Sequence, residues 1–438
     1  MTTPVRRAGG FAVVGTLALA APALGRAAAL PFAAVALGAA FVVDDGPLFE
    51  LFARPGDEQE GRLAGLAGFA LAAAGLALLA TLPRGRAALP VTVYVAAVLV
   101  VAYGNLGERL VGARTDDPFL ATAGFATVGF VAALGGQVAT ALAGTGAPSL
   151  PRFAFLAAAG ALAAALLRAM LFVRDDPLVM LTVGVQLWLF ETVATDVHVQ
   201  EVAVALGVTV VLGYASYALG TASVPGMLTG VLLGLLTIVL GGYGWFALLV
   251  AFFAVGGLST KFRYERKRER GVAEENEGAR GTGNVLGNAA VALVAVIGYA
   301  AVPQLPVDAT VFRFAFAGSL AAAMSDTLSS EVGGLYDTPR LITTLDPVPP
   351  GTDGGVTWQG TLVGAVGAAL VAGVAALFLP DPRPLALTVV AAGGVVGMLV
   401  DSFLGATVEG DRIGNQGVNL LATLGGALAS VGLAAALL

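Results

Sequence analysis

The sequence predicts an all-α, polytopic transmembrane helical bundle of roughly 15 spans, and three observations carry that expectation. Apolar residues make up 57% of the 438 residues and charged residues only 12%, against about a quarter charged in soluble domains. Apolar runs of about 20 residues, the length that crosses some 30 Å of hydrocarbon, recur from Phe11 to the C-terminus. These runs are too long and too uniformly apolar for the alternating strands of a barrel. Lipid offers the backbone no other hydrogen-bond partner, so they must be helices.

Ten runs precede the strongest charge cluster, at 8–25, 27–43, 63–82, 88–103, 118–143, 153–173, 178–196, 200–221, 224–240 and 242–258. Five follow it, at 284–302, 310–328, 358–379, 385–403 and 416–437. The first follows Arg6 and Arg7, but further spans come at once, so it reads as a span rather than a cleaved signal. The segment 259–280, which contains KFRYERKRERGVAEENEGAR, holds seven of the 23 Lys and Arg residues. The positive-inside rule therefore makes it cytoplasmic in a cell-membrane protein. Alternation then puts the polar loops 44–62, 104–117, 325–357 and 401–415 on the same side. The short connections 303–309 and 380–384 fall on the other. A break near 174–200 divides the chain into an N-terminal region, 1–199, and a motif-rich region, 200–438.

The chain has no cysteine, which excludes disulfides and thiolate metal sites, and one histidine, His198, which excludes a histidine cluster or a Ser-His-Asp arrangement near the candidate serines. Lys261 and Lys267 are the only lysines, and the net charge is −6. That balance suits a GC-rich, salt-adapted source such as a halophilic archaeon. It argues against nucleic acid as a partner, which requires a basic stripe.

Ionisable residues in or beside spans are costly and call for an explanation. The stretch SDTLSSEVG at 325–333 offers Asp326 and Glu331, hard oxygen ligands suited to Mg²⁺. Five apart, they converge only if the helix ends or unwinds between them, and two readings stand: a metal-ligand pair or a polar helix terminus. In DSFLGATVE at 401–409, Asp401, Gly405 and Glu409 recur at four and eight residues, so one helical face presents both carboxylates. Asn415 and Asn419 open the last run as helix-packing polar groups. In RGTGNVLGN at 280–288, Gly281 and Gly283 precede an apolar helix, a setting in which backbone N–H groups receive phosphate, although no P-loop pattern is present. Arg280 and Arg340 are the candidate phosphate ligands. The charges of 259–270 read as a solvated helix end. DDGPLFELF at 44–52 and GNLGERLVG at 104–112, with Asn105, Glu108 and Arg109, form either a second site or ordinary polar loops.

Four motifs, RGTGNVLGN, SDTLSSEVGGLY (325–336), LITTLDPVPPGTDGGVTWQGTLVG (341–364) and DSFLGATVEG (401–410) followed by NQGVNLLAT, resemble in order and spacing the membrane family called domain of unknown function 92. That family includes transmembrane protein 19 and the plant phytyl-phosphate kinase. The resemblance covers roughly residues 220–438. It implies a kinase that uses CTP or another NTP, with Mg²⁺, to convert an isoprenyl monophosphate such as geranylgeranyl or phytyl phosphate into the diphosphate. Asp326 and Glu331 then match the acidic motif, and Gly351, Thr352 and Gly354 match a PxGT(E/D)G loop in which this chain has Pro350 and Asp353. Asp401 and Glu409 would assist the metal, and Gly281, Gly283 and Asn288 would lie by phosphate. The region 1–199 resembles the dolichol and phytol kinases, with Asn105 where an acidic residue is expected, which implies a degenerate half. The competing expectation is a transporter or lipid carrier that uses the same intramembrane carboxylates; transport sites sit near the bilayer midplane on broken helices, whereas these motifs map to one cytoplasmic edge.

Overall fold

The computed structural model describes residues 3–82, 88–144, 147–171, 176–194, 196–273, 280–410 and 412–438. The chain divides into two compact units, Met1–Leu206 and Gly207–Leu438. The N-terminal unit begins with α1 (Pro4–Gly15) and α2 (Ala21–Leu24), which with intervening 3-10 turns form one candidate span, Pro4–Ala27. Next come α3 (Leu30–Phe41) and α4 (Gly46–Phe52), bent by 104°. A single turn, α5 (Asp57–Glu60), precedes α6 (Ala64–Ala80), α7 (Val91–Gly112), α8 (Pro118–Ala143), α9 (Leu150–Met170) and α10 (Asp176–Val193). The core of this unit is α7, buried without a break from Val93 to Ala102. It packs tightly on α8 because a Cβ at Gly104 would lie 2.7 Å from the Phe125 ring, and one at Gly124 2.9 Å from the Gly107 carbonyl.

Helix α11 (Val199–Ala218) leads to the C-terminal unit. There α12 (Val224–Leu236) runs on to Gly241 and turns at Gly242, φ +94°, into α13 (Tyr243–Lys261). A short α14 (Tyr264–Glu269) precedes α15 (Thr282–Ala300) and α16 (Ala309–Gly333). A two-residue hairpin follows, β1 (Arg340–Leu341) antiparallel to β2 (Gly355–Val356), then α17 (Trp358–Phe378), α18 (Arg383–Gly405) and α19 (Asn415–Leu437). Side-chain caps start several helices. Ser223, Asp308 and Thr357 each accept a hydrogen bond from an otherwise orphaned N–H of the first turn, at 3.2, 2.7 and 3.1 Å.

Among the described residues twelve helices are long and apolar enough to cross a membrane, or thirteen if α3 and α4 count as one span. Among the described residues each predicted run is helical, the first as α1 and α2 joined by a 3-10 turn. The two remaining runs fall outside the simplest criterion for identifiable reasons: α6 has 17 residues, and α16 carries Arg313, Asp326 and Glu331. Yet α16 is the core of its unit, packed against α13, α15, α17, α18 and α19. Its charges explain themselves by position. Arg313 forms a two-pronged ion pair with Asp381, 2.8 and 2.9 Å, and Glu331 pairs with Lys267. Eighteen residues separate them, about 27 Å of helix and close to the hydrocarbon thickness. We therefore treat α16 as a spanning helix with a charge at each end.

Candidate functional site

Small residues let α16, α18 and α19 meet. A Cβ at Gly426 would lie 2.6 Å from Ala322 Cβ, one at Gly394 2.9 Å from Ala321 Cβ, and Gly397 faces Ala322. Ser325 donates to Met398 Sδ across the α16–α18 crossing at 3.3 Å. One residue further along α16 and one turn further along α18, the Asp326 and Asp401 carboxyls come close enough to interact directly. Asp401 Oδ2 is buried with no hydrogen-bond partner among the described residues. Two carboxylates side by side repel unless a proton or a cation lies between them. Asp326 is five residues in from Glu331, so the pair lies about 7–8 Å inside the end of the span.

Above this pair, the 341–357 segment folds onto the end of α18. Ile342 N donates to Gly354 O at 3.0 Å. Gly354 has φ +73°, and a Cβ there would lie 2.5 Å from Ala406 Cβ and 2.6 Å from Ser402 O, so only glycine fits. Gly351 has φ +84°, and Thr352 Oγ1 donates to Pro349 O at 2.8 Å, closing the turn. Asp353 and Glu409 line the same rim. Partial burial, then the charges of Asp353 and Asp401, push the Glu409 carboxyl up to about 7.

Glu331 does not join Asp326. The helix continues unbroken to Gly333, and five residues place the two carboxyls on diverging faces. Glu331 instead receives the Lys267 ammonium, which also donates to Thr260 O at 2.8 Å and Ser259 O at 3.2 Å, capping the end of α13. Lys267 is 1% exposed, so the solvated-end expectation fails for it while holding for Glu265 and Arg268, 69% and 67% exposed. Within the charged segment 259–280, positions 274–279 lie outside the described residues. Asp401 and Glu409 approach each other, but not along one helical face, because α18 ends at Gly405 and Glu409 stands in the loop.

The glycine-rich entry is where α15 begins. Gly281 is its N-cap, Gly283 presses on the Gln416 side chain, and a Cβ at Gly287 would lie 3.0 Å from Gln416 O. Asn288 is buried and donates to Asn284 O at 2.9 Å. Asn284 Oδ1, which sequence reasoning did not single out, is buried without a partner among the described residues. The Arg280 backbone bridges to Thr221 and Ser223, at 2.9 and 3.1 Å, and its guanidinium lies 5.5 Å over the Phe252 ring. Arg280 also borders a cavity of about 340 Å³ lined by apolar side chains of α11, α12 and α13, among them Leu212, Met227, Phe246 and Phe253. Arg340 is exposed and donates to Leu345 O at 2.7 Å within its own loop.

No group of three or more His, Cys, Asp or Glu side chains able to hold a metal occurs among the described residues. Mg²⁺ needs fewer, since one or two carboxylates plus substrate phosphates satisfy it. The orphaned Asp401 oxygen beside Asp326 fits that requirement.

The family model described as integral membrane protein DUF92 matches residues 207–427. An uncharacterized membrane protein of Methanocaldococcus jannaschii is 35% identical over 215 residues, 47% of this chain and 83% of that protein. The chloroplastic protein VTE6 of Arabidopsis thaliana is 34% identical over 204 residues, 45% of this chain and 59% of its own length. Protein PGR of the same plant is 32% identical over 189 residues, 38% of this chain and 65% of its own. No solved structure matches the chain.

Proposed function

The chain belongs to the DUF92 family of integral membrane proteins, and from that premise we propose that it is an isoprenyl-phosphate kinase acting at the cytoplasmic face. The observation that carries this reading is the Asp326–Asp401 pair, with its orphaned buried oxygen, beneath a rim of conformationally special glycines. The resemblance of the four polar motifs to the plant phytyl-phosphate kinase supplies the reaction class.

The site's composition suits a phosphate acceptor. A phosphomonoester is largely ionised near neutral pH, with a second pKa of about 6, so its oxygen attacks without a general base. The chain's one histidine, His198, belongs to the other unit. In the transfer, an acceptor phosphate oxygen bonds to the terminal phosphorus of the nucleotide. The bond from that phosphorus to the bridging oxygen breaks, and the nucleoside diphosphate leaves with the electron pair. Such reactions depend on positioning and charge neutralisation. Mg²⁺, held by Asp326 and Asp401, would supply the neutralising charge. The polyprenyl chain lies in the apolar cavity of α11–α13, with its phosphate toward Arg280. The basic segment around α14, seven Lys and Arg residues in 259–280, supports a cytoplasmic orientation of this end by the positive-inside rule.

The test is phosphate transfer from labelled CTP, ATP, GTP and UTP to geranylgeranyl or phytyl monophosphate by the purified protein with Mg²⁺. Labelled diphosphate is expected, with a loss of about a hundredfold or more in Asp326→Asn, in line with removing a transition-state charge partner. Full activity in that variant would remove Asp326 from the mechanism. No product with any nucleotide, from folded protein, would move the reading to lipid binding or transport.

A further inference from the structure

The N-terminal unit, which the family model does not cover, holds a cavity of about 470 Å³ at the end of its bundle where α1 begins and α7 ends. Four arginines border it, Arg7, Arg54, Arg109 and Arg168, against one carboxylate in the wall, Asp176. Asp176 is 1% exposed and clamps two of the four, its oxygens meeting Arg54 at 2.5 Å and Arg168 at 2.6 Å. Arg168 also reaches Glu108 at 3.1 Å, and Arg54 stacks 4.7 Å over the Phe11 ring. These contacts fix two guanidiniums as a rigid floor. Arg7 lies within electrostatic reach of Arg54 and Arg109, and its Nε is buried with no partner among the described residues. Asn105, 8% exposed, also lines the cavity, where its side-chain amide can donate.

Like charges gathered in a poorly solvated site repel strongly, and one clamping carboxylate does not balance four guanidiniums. With Asp57, which acts on Arg7, and Glu108, which pairs with Arg168, counted beside Asp176, four guanidiniums still face three carboxylates. Arginine forks match phosphate oxygens in pairs. Phe11, Ala8 and Pro4 add an apolar wall beside the cationic floor. We infer that this cavity binds a phosphate-bearing anion, as the headgroup of a phosphorylated lipid or as a soluble di- or polyphosphate, independently of the carboxylate site in the C-terminal unit. Its ligand set is Arg7 and Arg109, with the Asn105 Nδ2 amide as a further donor, over the Arg54–Asp176–Arg168 clamp.

The experiment is calorimetric titration of inorganic pyrophosphate into the full chain in phosphatidylcholine nanodiscs, without Mg²⁺. It is repeated with Arg109→Gln, Arg109→Lys, Arg7→Gln and Asp326→Asn, and in nanodiscs containing phosphatidic acid. Arg7 and Arg109 are chosen because neither forms an ion pair among the described residues, so their variants should fold, as circular dichroism will check. The expected result is saturable binding, unchanged in Asp326→Asn, weakened about tenfold to a hundredfold in Arg109→Gln and Arg7→Gln, and partly restored in Arg109→Lys. Competition by phosphatidic acid that disappears in Arg109→Gln would identify a lipid headgroup. Pyrophosphate binding indifferent to phosphatidic acid would identify a soluble anion. Failure of both probes to bind the folded protein, or binding that the Arg7 and Arg109 variants leave intact, overturns the inference.

Discussion

The two units bury charge of opposite sign at their polar ends, and they deliver it by different means. In the N-terminal unit, Arg54 and Arg168 come from separate segments and meet on Asp176 by extending long side chains over a roomy cavity. In the C-terminal unit, Asp326 and Asp401 meet because α16 and α18 nearly touch, through Gly394 and Gly397 against Ala321 and Ala322. A guanidinium carries its charge out on a flexible stem, so its backbone can stand back. A carboxylate on one methylene has no such reach, so the backbone must bring it. The acidic pair therefore depends on close approach of its own two helix backbones, whereas the arginines reach Asp176 through their side chains.

The sharpest way to break this comparison is to remove the clamp in each unit. Asp176→Ala leaves two guanidiniums facing each other in a buried site and should cost about 3–5 kcal/mol or more, while Glu331→Ala strands Lys267 alone at about 3–5 kcal/mol. Denaturant or thermal unfolding in detergent measures both. A smaller loss for Asp176→Ala than for Glu331→Ala would mean that the arginine floor is not scaffolded by that carboxylate.

A lesser effect tests the small-residue requirement. Gly397→Leu drives a side chain into Ala322 and the Ala422 carbonyl and should destabilise by about 1–3 kcal/mol through overpacking. It should also part Asp326 from Asp401 and so abolish phosphoryl transfer. The same measurement on Gly38→Leu, where a Cβ would meet nothing within 4 Å, should show almost no change.

The smallest effect is electrostatic. Glu409 has a folded-state pKa of about 7, above its ordinary 4.5, so between those values the folded protein keeps a proton that the unfolded chain has released. Its stabilising contribution is complete below pH 4.5, is lost as pH rises through about 7, and is constant above that. Glu409→Gln should flatten that part of the stability–pH curve, and the shallow slope should be readable as a difference in melting temperature between pH 5 and pH 8. An unchanged slope would show that neither burial nor the charges of Asp353 and Asp401 hold the Glu409 carboxyl above its ordinary range.

Much of the fold was legible because apolar length and polar punctuation are local properties. Among the described residues every predicted run is helical, including α16, whose charged ends depress its hydropathy without preventing it from spanning. The pairings were not legible. Spacing arithmetic sees one helix at a time, so Asp326 was matched with Glu331 and Asp401 with Glu409, whereas the decisive contact runs between two helices 75 positions apart. Lys267 sits in a run of charges that elsewhere is solvated. Its burial follows from the turn at Arg263, φ +49°, which folds α14 back beneath α13, and no local pattern announces that turn. In the arginine cavity Asn105, Glu108 and Arg109 share one polar motif, but Arg7, Arg54, Arg168 and Asp176 converge from four other segments.

Helix α16, held by Arg313–Asp381 at one end and Lys267–Glu331 at the other, behaves as a ruler of fixed length. Sliding it along its own axis would draw one ion pair into hydrocarbon, so piston motion is closed to it. A membrane thicker than the roughly 27 Å between these charges must be met by tilting the surrounding helices or by thinning the lipid at this unit, at a fraction of a kcal/mol per Å. Bilayer thickness thereby becomes a variable that acts on the acidic pair, which hangs from the same rigid rod.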